Sequence, residues 1–133
     1  MWNRKNRKVY KLQYHIIFIC KYRKNLFEID GIEKDVFNLV KTICNKNNCY
    51  VSCINTDLNH LHFILETHPN VCLFNIIRSI KSYTSFHIFS KYKTTLKKYL
   101  WKENTFWSDE YFICSIGNVS NDKLVEYILN QKC

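Results

Sequence analysis

The sequence predicts an α+β domain: a ferredoxin-like (RNP/RRM-like) β-α-β-β-α-β antiparallel sheet with an appended C-terminal helix that carries a tyrosine. Segments that alternate apolar and polar residues with the period of a strand are interrupted twice by stretches whose apolar residues recur at helical spacing. The two central strand-like runs are separated by a turn of hairpin length. The chain has 133 residues with 47% hydrophobic content, two glycines and one proline. That composition leaves room for one core and few loops, so residues 1–133 read as a single domain.

Each element has its own justification. Over residues 11–22, Leu12, Tyr14, Ile16, Phe18 and Cys20 fall on one side and Gln13, His15 and Ile17 on the other, as on a strand. Asp30 is placed to cap a helix in which Ile32, Val36, Leu39, Val40 and Ile43 recur at helical spacing, until the polar run at 45–48 ends it. Residues 50–56 and 60–66 are β-rich and joined by Asp57, Leu58 and Asn59, so they are expected to pair antiparallel. After Pro69, Phe74, Ile77, Ile80 and Thr84 trace a helix to about residue 89, followed by a basic segment to Trp101. Residues 111–116 form the last strand, ended by Gly117, and Ser120 and Asp122 suit the start of a final helix.

Composition excludes several classes. The apolar run at 16–20 is far shorter than the roughly 20 residues of a membrane-spanning helix. The basic amino terminus leads into an alternating segment and not into the apolar stretch of a signal peptide. A cytoplasmic protein is expected, without a membrane partner. The seven cysteines are odd in number, scattered and without a C-x-x-C pair, which disfavours a disulfide scaffold or zinc ribbon. Cys49 and Cys53 ahead of His60 and His62 lack the turn that folds thiolates around zinc.

The net charge of +9 is segregated. Residues 1–27 hold eight Lys or Arg and no acid, and residues 67–102 hold seven more, again with no acid. Aromatic side chains are interleaved with these cations, as at Lys21-Tyr22-Arg23 and Lys91-Tyr92-Lys93, giving phosphate neutralisation and base-stacking faces together. Nucleic acid is the leading partner. The candidate contacts are Arg4, Lys5, Arg7, Lys8, Lys21, Arg23, Lys24, Arg78 and Lys81, with Tyr22, Tyr92 and Trp101 as stacking candidates.

The chemistry centres on residues 60–66. Leu61, Phe63 and Leu65 must face the helices, so His60 and His62 share the opposite face of that strand. Two imidazoles at i and i+2 stand close enough to bind one cation, and at neutral pH each offers a lone pair. His15, His68 and His87, being single, read as structural residues. On the final helix Leu124, Val125, Ile128 and Leu129 make an apolar stripe, and Tyr127 and Gln131 lie one turn apart outside its centre as a polar edge.

His-hydrophobe-His on a central strand with Tyr127-Ile128-Leu129-Asn130-Gln131 on a late helix closely resembles the single-tyrosine HUH transposases of the insertion sequence 200/605 family. Tyr14-His15-Ile16-Ile17-Phe18, Lys21-Tyr22-Arg23-Lys24, Phe106-Trp107, Tyr111-Phe112-Ile113 and Gly117 extend the likeness over nearly the whole chain. The resemblance implies a transposase that cleaves and rejoins single-stranded DNA. It makes Tyr127 the nucleophile and His60, His62 and Gln131 the ligands of Mg²⁺ or Mn²⁺. It also implies DNA hairpins at the element ends as substrate, a homodimer with shared active sites, and no nucleotide cofactor. One departure stands out: the family commonly has Asp before the first histidine, and this chain has Asn59. The rival reading is a non-catalytic single-stranded nucleic-acid-binding module on the same sheet, which has no need of the histidines or of Tyr127. Relaxases and replication initiators share the histidine pair but are usually longer.

Overall fold

The computed structural model describes residues 3–5, 8–100 and 105–117. The final helix expected from Ser120 onward, with Tyr127 and Gln131, lies outside the described residues, as do Arg7 and Trp101. The order begins with two short strands, β1 (Asn3–Lys5) and β2 (Lys8–Tyr10), which pair antiparallel. It continues through β3 (Leu12–Cys20), α1 (Ile32–Lys46), β4 (Tyr50–Asp57), β5 (His60–Thr67), α2 (Leu73–Leu96) and β6 (Trp107–Ser115). From β3 to β6 this is the expected β-α-β-β-α-β order. The four longer strands form one antiparallel sheet in the order β4-β5-β3-β6.

One face of the sheet and the two helices enclose the core. Ile16 and Phe18 from β3, and Leu61, Phe63 and Leu65 from β5, meet Ile32, Val36, Val40 and Cys44 of α1 and Ile77, Ile80 and Ile88 of α2. Phe18 sits at its centre, edge-on to Phe63 at 5.3 Å and to Trp107 at 5.4 Å between ring centroids. Aromatic pairs in this geometry contribute beyond the area they bury. The alternation assigned to β3 and β5 is therefore the one observed.

Several boundaries differ from expectation. The first strand stops at Cys20, and Lys21–Arg23 turn away as a short 3-10 segment in which Tyr22 and Arg23 take left-handed φ values of 56° and 54°. Asp30 does not cap α1. Gly31 does, at φ 86°, with no side-chain cap. A Cβ there would lie 2.8 Å from the Tyr92 hydroxyl oxygen, so glycine answers both the left-handed φ and the close approach. Helix α2 runs past residue 89 to Leu96, with a kink at Tyr92 (φ −113°, ψ 24°). Strand β6 starts at Trp107 because Trp107 already pairs with Cys20.

The second face of the sheet, which carries Gln13, Ile17, His60 and His62, is also withdrawn from solvent. Gln13, Ile17, Ile19, His60, His62 and Ile64 are all buried there, and none belongs to the helix-side core.

Candidate active site

Strand register builds the site. Antiparallel pairing sets Ile17 opposite His62 and Ile19 opposite His60 on the central strand, with Asn55 opposite His62 and Asp57 opposite His60 on the outer one. The two histidines thus stand in the middle of the sheet, one pleat apart, on the face away from the core. Their ring centroids are 4.4 Å apart with the planes near perpendicular. They are 2% and 1% exposed, too little for water to serve as their ordinary partner.

Burial lowers the pKa of both histidines. For His62 the value falls to about 4, desolvation coming first, followed by the neighbouring His60 and His15 and a small opposing effect of Asp57. For His60 desolvation is again the larger cause, with Asp57 opposing it. Both rings are neutral at pH 7. His60 Nδ1 lies 2.7 Å from the Asn59 side-chain oxygen. Among the described residues, His60 Nε2 and both nitrogens of His62 have no hydrogen-bond partner. Buried polar atoms are nearly always paired, so three unpartnered imidazole nitrogens in one spot call for a ligand. Neutral nitrogen donors fit a divalent cation. No group of three His, Cys, Asp or Glu assembles among the described residues, so Cys49 and Cys53 do not complete a site with this pair.

The chain matches the family model for IS200-like transposases over residues 8–131, nearly its full length. It belongs to the IS200-like transposase family. The ISDra2 transposase TnpA of Deinococcus radiodurans is 24% identical over 123 residues, covering 92% of this chain and 86% of that protein. The transposase for insertion sequence element IS200 of Salmonella typhimurium is 24% identical over 119 residues, covering 90% and 76%. The fold is also that of a crystal structure described as a candidate transposase from Deinococcus radiodurans R1, with a TM-score of 0.77, 22% identity and 97% of both chains covered. A REP-associated tyrosine transposase bound to a REP hairpin matches with a TM-score of 0.63 and 14% identity over 95% of this chain and 70% of that one.

In this IS200-like transposase, a member of a DNA-cleaving family, the candidate DNA contacts fall into different settings. Lys21, Arg23 and Lys24 lie in the turn after β3, where Arg23 and Lys24 are exposed and Lys21 Nζ lies 5.4 Å from the centre of the exposed Tyr22 ring. The Cys20 amide donates to the Asn59 carbonyl at 2.8 Å, which brings that basic turn to the same end of the sheet as His60. Arg4, Lys5 and Lys8 lie on β1 and β2. Arg78 is exposed on α2, its guanidinium 5.6 Å from the centre of the exposed Phe74 ring.

Two candidates are employed otherwise than expected. Lys81 turns inward: its ammonium donates to the Ser108 carbonyl at 2.7 Å and more distantly to that of Asp109, and it lies within 6 Å of the Phe18 and Tyr111 ring centres. Burial lowers its pKa. Lys81 ties α2 to β6 and is not a free surface cation. Tyr92 is half-buried with its hydroxyl donating to Asp35, which removes it from the stacking candidates.

The sequence also passed over His15. Its ring stacks 6.1 Å from that of His62. Alternation along β3 already placed His15 on that side of its own strand, but only the pairing register brings it beside the histidine pair.

Proposed function

We propose that this chain cleaves and rejoins single-stranded DNA at the ends of an insertion sequence by transesterification, with Tyr127 as nucleophile. His60, His62 and Gln131 would hold Mg²⁺ or Mn²⁺. The carrying observation is the histidine pair: buried, neutral, on the face away from the core, with three ring nitrogens lacking partners among the described residues. A purely nucleic-acid-binding sheet has no use for such a pair.

A bound divalent cation supplies Lewis-acid polarisation of the scissile phosphate. His60, His62 and Gln131 are all uncharged donors, so they leave that polarising charge undiminished. The Tyr127 hydroxyl oxygen attacks phosphorus, the bond from phosphorus to the 3′ oxygen breaks, and the departing oxygen takes a proton to become a 3′-hydroxyl. A phenol has a pKa near 10, so its proton must be drawn off as the new bond forms. The resulting 5′-phosphotyrosine retains the bond energy of the phosphodiester, so reversal by a second 3′-hydroxyl rejoins DNA without a nucleotide cofactor. Exposed Arg23 and Lys24, beside Tyr22 at the His60 end of the sheet, suit the strand that enters the site. Hairpins at the element ends are the proposed recognition feature, in keeping with the REP hairpin held by a structural neighbour. A homodimer that shares its active sites is part of this reading.

The deciding experiment incubates the full chain with single-stranded DNA from the ends of its own element, with Mg²⁺ or with chelator. A covalent protein–DNA adduct that needs the metal and is lost in Tyr127→Phe, His60→Ala and His62→Ala supports the enzyme. Reversible binding alone, unchanged in those variants, establishes the non-catalytic binding module instead.

A further inference from the structure

We propose that Asn59 is a positioning residue: its side-chain oxygen holds His60 in the Nδ1–H tautomer, so that Nε2 presents its lone pair beside His62. The inference rests on the histidine-pair reading above and adds a residue to it. A carbonyl oxygen only accepts, so the 2.7 Å contact between Asn59 Oδ1 and His60 Nδ1 requires the ring proton on Nδ1. A neutral imidazole has one ring proton, and Nε2 is left as an acceptor. That nitrogen is buried and unpartnered among the described residues, 4.4 Å separating the centroids of the two rings. A free histidine favours the proton on Nε2, so the preference has to be imposed.

The turn that carries Asn59 is built to impose it. The Asn59 carbonyl accepts the Cys20 amide at 2.8 Å, and the Leu58 carbonyl accepts the Phe27 amide at 3.1 Å. The Leu58 amide in turn donates to Asp57 Oδ1 at 2.8 Å. Two bonds from separate segments and one within the turn fix the backbone on which the half-buried carboxamide stands. The carboxamide performs the orienting task of a carboxylate while adding no negative charge, and its hydrogen bond lacks the strength that ionisation confers. This chain therefore keeps the tautomer and gives up part of the ligand basicity.

The test uses the full-length protein labelled with ¹⁵N-histidine. In the metal-free wild type, long-range ¹⁵N–¹H NMR correlations place the His60 proton on Nδ1. Asn59→Ala, whose backbone φ at this position is not left-handed, loses that preference, and Asn59→Asp keeps it. Circular dichroism checks that each variant is folded. Mn²⁺ binding, read from the electron paramagnetic resonance of the free ion, weakens about tenfold or more in Asn59→Ala. In Asn59→Asp it is at least as tight as in the wild type. A wild-type proton on Nε2, or an unchanged tautomer and Mn²⁺ affinity in Asn59→Ala, overturns the proposal. A wild type with the Nδ1–H tautomer that binds no Mn²⁺ overturns the metal reading of the site and leaves the tautomer assignment standing.

Discussion

The indole Nε1 of Trp107 donates to Thr84 Oγ1 at 2.7 Å inside the core, and the same hydroxyl donates to the Ile80 carbonyl at 2.7 Å. Strand β6 is thereby latched to α2 where it enters the sheet, with the Phe106 amide donating to Ser85 Oγ at 3.2 Å beside it. Thr84→Val keeps the shape and strands the buried N–H, which costs about 1–3 kcal/mol. Thr84→Ser keeps the acceptor and loses much less. Urea unfolding midpoints separate the two, and a larger loss in Thr84→Ser than in Thr84→Val would show that the methyl group and not the hydroxyl matters.

Gly31 and Tyr92 form a second junction, between the start of α1 and the kink of α2. Gly31→Ala forces a side chain into φ 86° and a Cβ to within 2.8 Å of the Tyr92 hydroxyl oxygen. The left-handed conformation alone costs about 1–2 kcal/mol for a non-glycine residue. Tyr92→Phe removes the opposing oxygen, so the double variant is expected to lose less than the sum of the singles. A strictly additive thermal-denaturation cycle would show that the contact does not couple the two helices.

Asp35 carries the acid-side pH dependence of that junction. Hydrogen bonds from Lys91, at 2.8 Å, and from Tyr92 hold its carboxyl below the ordinary carboxylate range. The depressed folded-state pKa makes the contribution fully present above the unfolded value, about 3.9, and lost as pH falls through the folded one. The difference in urea midpoint between wild type and Asp35→Asn should be level above about pH 5 and shrink below about pH 4. Lys91 is exposed and Asp35 only half-buried, so added salt should reduce the difference as well. A difference that grows on acidification would contradict the assignment.

Arg78 and Lys81 are three residues apart on α2 and are expected to behave oppositely. Lys81→Met removes the ammonium from the Ser108 carbonyl and costs on the order of 1 kcal/mol of stability. Arg78→Ala at an exposed position leaves stability within about 0.5 kcal/mol. It should instead weaken binding of single-stranded DNA hairpins and lower the salt slope of that binding by about 1. Binding titrations at several salt concentrations, beside unfolding curves, check both.

Residues 12–115 were largely legible because burial on one face imposes a period, and period is a property of neighbouring residues. Leu61, Phe63 and Leu65 have to face the helices, which sends His60 and His62 to the other side of the strand. The family likeness rested on that histidine pair together with the run from Tyr127 to Gln131, and the match over residues 8–131 bears the family out. The sequence by itself thus determined the element order from β3 to β6, the helix-side core and the pairing of the histidines on one strand. Register, long-range hydrogen bonds and close approaches were beyond it, because they depend on segments far apart in the chain. Only the tertiary structure set His15 beside His62, turned Lys81 inward to β6, replaced Asp30 by Gly31 at the start of α1, and brought Asn59 onto His60 with its backbone held by Cys20.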